Sequence, residues 1–181
     1  MYQVYTVLAV ELDEAIRTRR THKVYGPEPV DQATLDELFE LARWAPNHHL
    51  TDPWRFRVLG EQSKHALRAA ADEAKPGSGA KLDRAPTLIV ASAKQTGDEA
   101  QDHEDVLATA VASYIVLLGA HARGLAGYWR TVPVMESDAG RNALDIPQDE
   151  LPIGLLHLGD ARQEQRIPDR APVDEIAFFL P

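Results

Sequence analysis

"RWAPNHHLTDPWRF", residues 43–56, lies between a helix pattern and a strand pattern. A plain connector turns with Gly, Ser and Asp. This one carries Pro46 and Pro53, Trp44 and Trp54, and the pair His48–His49, so it reads as a loop that holds something. Upstream, "VDQATLDELFELARWA" places Leu35, Leu38, Phe39, Ala42 and Ala45 at helical spacing behind Asp31, a helix-capping residue type. Pro46 stops that helix. Downstream, "WRFRVL" alternates Trp54, Phe56 and Val58 with Arg55 and Arg57, the pattern of a strand with one covered face. The loop is therefore a helix-to-strand junction.

Working outward, "QSKHALRAAADEA" reads as a helix, "KPGSGAK" as a flexible loop and "APTLIVASA" as a strand apolar enough to be covered on both faces. The apolar run "VLATAVASYIVLLGA", residues 106–120, belongs to a long helix from about residue 101 to 123. The run is shorter than the roughly 20 residues of a membrane span, and it follows His103, Glu104 and Asp105. It reads as a helix that is central or at a subunit interface. "GLAGYWRT" and "PIGLLHLGDA" read as strands and "ESDAGRNALD" as a short helix. A first helix is expected over about residues 9–18, ending in "RTRR". The tail closes on "EIAFFL", an apolar strand that needs something to pair with, a partner subunit being one candidate. Uneven alternation of helices and strands puts the class at α+β or mixed α/β, and 181 residues suit one domain over 1–181.

Composition narrows the function. Net charge is −9 and the pI about 5.2, so nucleic acid and anionic membrane, which need a basic face, are not the expected partners. There is no cysteine, which excludes disulfides, thiolate catalysis and Cys-ligated metal. That absence, with no signal peptide legible in "MYQVYTVLAV", fits a cytoplasmic protein.

Four clusters can carry chemistry. "RTRRTHKVY" gathers Arg17, Arg19, Arg20, Thr21, His22 and Lys23. These are either cations that complement a helix C-terminus or an anion site, in which Arg grips a phosphate bidentately and Thr adds a donor. In the opening loop, His48–His49 lacks the spacing and companion ligands of a metal centre, so no metal is expected. Asn47 and His48, at a proline-fixed turn, suit ligand contact, while Trp54 starts the strand and reads as core. "GYWRT" offers Trp129, Arg130 and Thr131 as a stacking face and a cation, or else ends a strand in a surface arginine. "RIPDRAPVDEI" adds Arg166 and Arg170, which on their own read as solvated charges.

Together, "AIRTRRTHKVY", "APNHHLTDPWRF", "GYWRT" after a long apolar helix, "LPIGLLHLGDAR" and "RAPVDEI" resemble the FMN-dependent nitroreductase family, most closely its short members of under 200 residues. Arg19, Arg20, Thr21 and Lys23 fill the family pattern Arg-Arg-Ser-x-Arg/Lys, with Thr keeping the hydroxyl. The resemblance implies a nitroreductase-like fold: a central mixed, mostly antiparallel sheet flanked by helices, in an intertwined homodimer. It implies two FMN molecules at the dimer interface, each contacted by both subunits. Arg19 and Thr21 would meet the phosphate and ribityl chain, with Arg20 beside them in the cofactor site and Arg170 as the late phosphate-binding arginine. Lys23 would lie near the pyrimidine edge, His48 and Trp44 would come from the opening loop, and Trp129, Arg130 and Thr131 would line the ring. NAD(P)H is then the co-substrate, a small-molecule electron acceptor takes the electrons, and no side chain need be a general acid or base. Two departures stand out: Asp52 replaces a family amide, and Pro168 stands where a basic residue precedes the late arginine. The same fold also hosts dehydrogenation, dehalogenation and flavin breakdown. A flavin-binding store or sensor without turnover, and a structural domain with solvated arginines, are the readings from other classes.

Overall fold

Four strands and five helices make the frame of the computed structural model, which describes residues 11–181. They are α1 (Leu12–Thr18), α2 (Gln32–Ala42), β1 (Trp54–Val58), α3 (Glu61–Ala74), β2 (Thr87–Lys94), α4 (Glu99–Ala122), β3 (Leu125–Arg130), α5 (Asp138–Leu144) and β4 (Glu150–Asp160). The sheet order is β1-β2-β4-β3, and every neighbouring pair is antiparallel. The expected mixed character survives only as one isolated parallel bridge, Thr21 to Gly127. The class is α+β. The N-terminal "MYQVYTVLAV" and the first residues of the helix expected over 9–18 lie outside the described residues.

Two cores sit on opposite faces of the sheet. On one, Leu88, Val90 and Leu155 pack with Leu67 of α3, Leu144 of α5 and Val132, Val134 and Met135. On the other, Ile89, Leu156 and Leu158 pack with Leu35 and Leu38 of α2 and Val116 and Ala120 of α4. Strand β2 is buried along Thr87–Ala93 because both faces are covered, as its unbroken apolar run requires.

Local signals place the elements. Asp31 caps α2, its side chain accepting from Thr34 N at 2.9 Å. Asp98 caps α4 by accepting from the amides of Ala100 and Gln101. Gly124 turns out of α4 at φ +78°, a left-handed backbone that glycine adopts without strain. By length and composition α4 could cross a membrane, but half of its apolar stretch is buried inside the fold. Leu107, Val111 and Tyr114 remain exposed on it.

Three expectations need correction. In β1, Val58 is exposed while Arg57 is half-buried, because Arg57 forks onto Glu150, with Nη1 to Oε2 at 2.6 Å and Nη2 to Oε1 at 2.9 Å. In "KPGSGAK" the second half is not loose chain: Gly79–Arg84 forms a 3-10 helix that buries Leu82. The tail forms no strand. A 3-10 turn, Val173–Glu175, precedes Phe178, Phe179 and Leu180, which stay exposed. A strand must exchange backbone hydrogen bonds with a neighbour, and among the described residues none lies beside residues 175–180.

Candidate functional site: an arginine corner and a strained loop

Helix α1 ends at Thr18, and residues 19–25 then run beside the sheet. Thr21 bridges Gly127, His22 N donates to Gly127 O at 3.2 Å, and Tyr25 bridges Ala161. The chain after β4 returns past the same place. Arg19, Arg20 and Thr21 thereby meet Gln165, Arg166 and Arg170 around a cavity of about 220 Å³. In a chain of net charge −9, none of these four arginines makes an ion pair among the described residues.

Arg20 is fixed by its own turn, Nη1 donating to Arg17 O at 2.6 Å and Arg19 O at 2.8 Å. The Arg19 guanidinium lies 5.9 Å from the Tyr114 ring centroid, within cation–π range. Yet the Nε atoms of Arg19 and Arg20 are buried with no hydrogen-bond partner among the described residues. Buried donors are normally satisfied, and the chemistry of this donor set suits an anionic acceptor. Its field is legible in nearby imidazoles. Burial, then Arg19, His22 and Arg20, hold His121 below the ordinary histidine range. Burial also lowers His22, aided by Arg19 and opposed by a backbone hydrogen bond at Gln163. A dianionic phosphate fits four arginines without an ion pair among the described residues and a threonine hydroxyl.

The opening loop builds a second cavity, of about 330 Å³, from Pro46, Asn47, His48, Glu104, Leu107 and Val111. His48 Nδ1 lies 2.7 Å from Glu104 Oε2, and the His48 and His49 rings stack at 3.8 Å. His48 is therefore placed by a carboxylate. Trp44 is exposed, its Nε1 donating to Glu40 Oε1 at 3.3 Å, and it lines neither cavity. Lys23, Asp52 and Thr131 are exposed and line neither.

At the end of β3, Trp129 turns its indole onto the sheet, Nε1 donating to Ile153 O at 3.3 Å. A Cβ at Gly154 would stand 1.9 Å from that nitrogen, so glycine makes room for the ring. Arg130 keeps a buried Nη1 without a partner among the described residues. His157 is fully buried, its ring tilted at 37° to that of Tyr128 with centroids 5.4 Å apart, and finds no partner for either ring nitrogen among the described residues. Burial, then Arg130 and Arg84, push its pKa down to about 4.

Of the residues expected to form one site, Arg19, Arg20, Thr21 and Arg170 converge, joined by Arg166. His48 stands in the second cavity. Helix α4 links the two places: Leu107 and Val111 wall the loop cavity, and Tyr114, on the same stripe, meets Arg19. The stripe from residue 107 to 114 spans about 10 Å of helix. Sequence reasoning missed Glu104, Tyr114 and His157. Each takes its role from a partner distant along the chain, and no local pattern announces that.

The sequence profile described as "Nitroreductase family" matches residues 16–160. YfhC of Bacillus subtilis (strain 168), named provisionally as an NAD(P)H nitroreductase, is 23% identical over 175 residues, covering 90% of each chain. The nitroreductase-like family protein from Bacillus cereus has a TM-score of 0.82 at 22% identity, over 99% of this chain and 98% of that one. The FMN and NADPH-dependent nitroreductase NfnB from Sphigopyxis sp. strain HMH has a TM-score of 0.77 at 18% identity, over 95% of this chain and all of that one. With the family profile running from α1 to the end of β4, over a four-stranded antiparallel sheet and an arginine corner, the chain belongs to the nitroreductase family.

Proposed function

We propose that the chain is an FMN-dependent NAD(P)H oxidoreductase, formed by residues 1–181 as one flavin-binding domain and active as a homodimer. The observation that carries the reading is the corner of Arg19, Arg20, Thr21, Arg166 and Arg170, where the buried Nε atoms of Arg19 and Arg20 have no partner among the described residues. When bound, FMN would supply the redox chemistry that links NAD(P)H oxidation to reduction of a quinone or nitroaromatic acceptor in ping-pong turnover. NfnB from Sphigopyxis, named for FMN and NADPH, supports that choice of cofactor and co-substrate.

The protein's part is to bind and orient. The arginines and Thr21 hold the phosphate, and Arg170 closes it from the tail. Lys23 places positive charge at the pyrimidine edge. Trp129, Arg130 and Thr131 support the ring from β3. His48 and Trp44 come from the opening loop, which a partner subunit brings to the flavin across the exposed stripe of α4. That stripe and the bare tail are apolar surface a second copy covers. No side chain acts as general acid or base.

Two measurements test the reading. A purified protein with the visible absorption of flavin, oxidising NADH or NADPH when a quinone or nitroaromatic is added, supports it. A folded, colourless protein that does not take up FMN overturns it. Flavin uptake without any NAD(P)H oxidation replaces the enzyme by a flavin store.

A further inference from the structure

Between α2 and β1, three of the residues 47–52 adopt a backbone that their side chains disfavour. His49, Leu50 and Asp52 stand at φ 56°, 52° and 45°, left-handed without being glycine. Such residues persist where their surroundings over-determine them, and they gather at ligand sites. Here the surroundings are two consecutive carboxylates of α4. Glu104 takes the start of the loop through His48, at 2.7 Å. Asp105 takes its end: Oδ1 accepts from Thr51 Oγ1 at 2.6 Å and from Gln101 Nε2 at 3.0 Å. Within the loop, Asn47 Oδ1 accepts from Asp52 N at 3.0 Å.

Asp105 is only 1% exposed. Burying a carboxylate costs desolvation, and within α4 its side chain takes only the Gln101 bond; Thr109 and Ser113, also buried on this helix, turn their hydroxyls to its own carbonyls. The contact that accounts for it is Thr51. One helical position before it, Glu104 fixes the His48 ring by Nδ1, which leaves Nε2 for a ligand. Three and six positions after it, Ala108 and Val111 help wall the cavity that His48 completes.

We propose that Asp105 is a positioning residue: acting through Thr51, it holds residues 47–52 in the strained form in which His48 lines the acceptor side of the flavin site. The inference rests on the flavin reading above. A planar acceptor with an exposed oxygen, a quinone carbonyl or a nitro group, meets the free edge of His48.

Three variants test it. Thr51→Val removes the hydroxyl at nearly constant shape, Asp105→Ala removes the carboxylate, and Asp105→Asn keeps the oxygen that Thr51 uses. Amide hydrogen exchange is read on protein without added flavin. KM and kcat for menadione are read at saturating FMN and NAD(P)H. Thr51→Val and Asp105→Ala should speed exchange in residues 47–52 about tenfold, the loss of one charge-assisted hydrogen bond, with β2 and β4 unchanged. They should raise KM for menadione about five- to tenfold with kcat within about twofold, and Asp105→Asn should restore both. Wild-type exchange in the loop of Thr51→Val overturns the proposal. So does faster exchange that extends through β2 and β4, which makes Asp105 a core residue only, or a loosened loop with unchanged KM. A wild-type protein that binds no FMN overturns the flavin reading and the acceptor role with it, while loop exchange still decides whether Asp105 holds the loop.

Discussion

Arg19 is where two readings of the same letters part company. As a phosphate ligand it makes a charge-assisted hydrogen bond worth roughly 1.5 to 3 kcal/mol. Arg19→Ala should then weaken FMN about ten- to several hundred-fold, measured by flavin fluorescence quenching. As a solvated helix-end cation it contributes about 0.3 to 1 kcal/mol to stability and nothing to flavin. The buried, unpartnered Nε favours the first. His157 carries a second prediction at this scale. With a folded pKa of about 4 against about 6.5 in the unfolded chain, the unfolded chain binds the extra proton between those values. The stability from its neutral form is complete above pH 6.5 and is lost as pH falls towards 4, by up to about 3 kcal/mol. Urea denaturation at pH 7 and pH 5 should show the loss, and His157→Leu should flatten it. The arginines were legible in sequence because cations stand out in an acidic chain. His157 was not, since a lone histidine in the apolar run "LPIGLLHLGD" shows neither its burial nor its neighbours Tyr128 and Arg130.

Elements were legible wherever a local signal was strong. Asp31 opens α2, the unbroken "TLIVASA" marks a strand covered on both faces, and the α4 boundaries fell within two residues of expectation. The misses share a cause. Arg57 is drawn inward by Glu150, 93 residues away, and the apolar tail expected as a strand lacks a neighbour to pair with among the described residues. Pairing of β3 with β4 gives a prediction here. Gly154→Ala drives a Cβ into the Trp129 indole. Overpacking of this kind costs about 1 to 3 kcal/mol. Thermal unfolding should show the loss, and quenched tryptophan fluorescence should report the displaced ring. An unchanged melting temperature and spectrum would mean that the indole does not rest there.

At the scale of the molecule, the exposed Leu107, Val111 and Tyr114 of α4 and the bare residues 176–180 predict a dimer. Light scattering should give twice the chain mass at micromolar concentration, and deleting residues 176–180 should weaken the association. A stable full-length monomer contradicts both. The pair His48–His49 lacks the spacing and companion ligands of a metal centre, so a chelator should leave NAD(P)H oxidation unchanged, and activity restored by one particular divalent ion would count against the account. The second half of the site was the least legible part of the sequence, because its loop and the arginine corner share no lining residue within one chain. The central claim is that the corner grips a phosphate, and the most direct test compares FMN with riboflavin, which lacks only that group. Titrated by fluorescence quenching, FMN should bind at least about a hundredfold more tightly than riboflavin, the worth of two charge-assisted hydrogen bonds. Equal affinities would contradict the account.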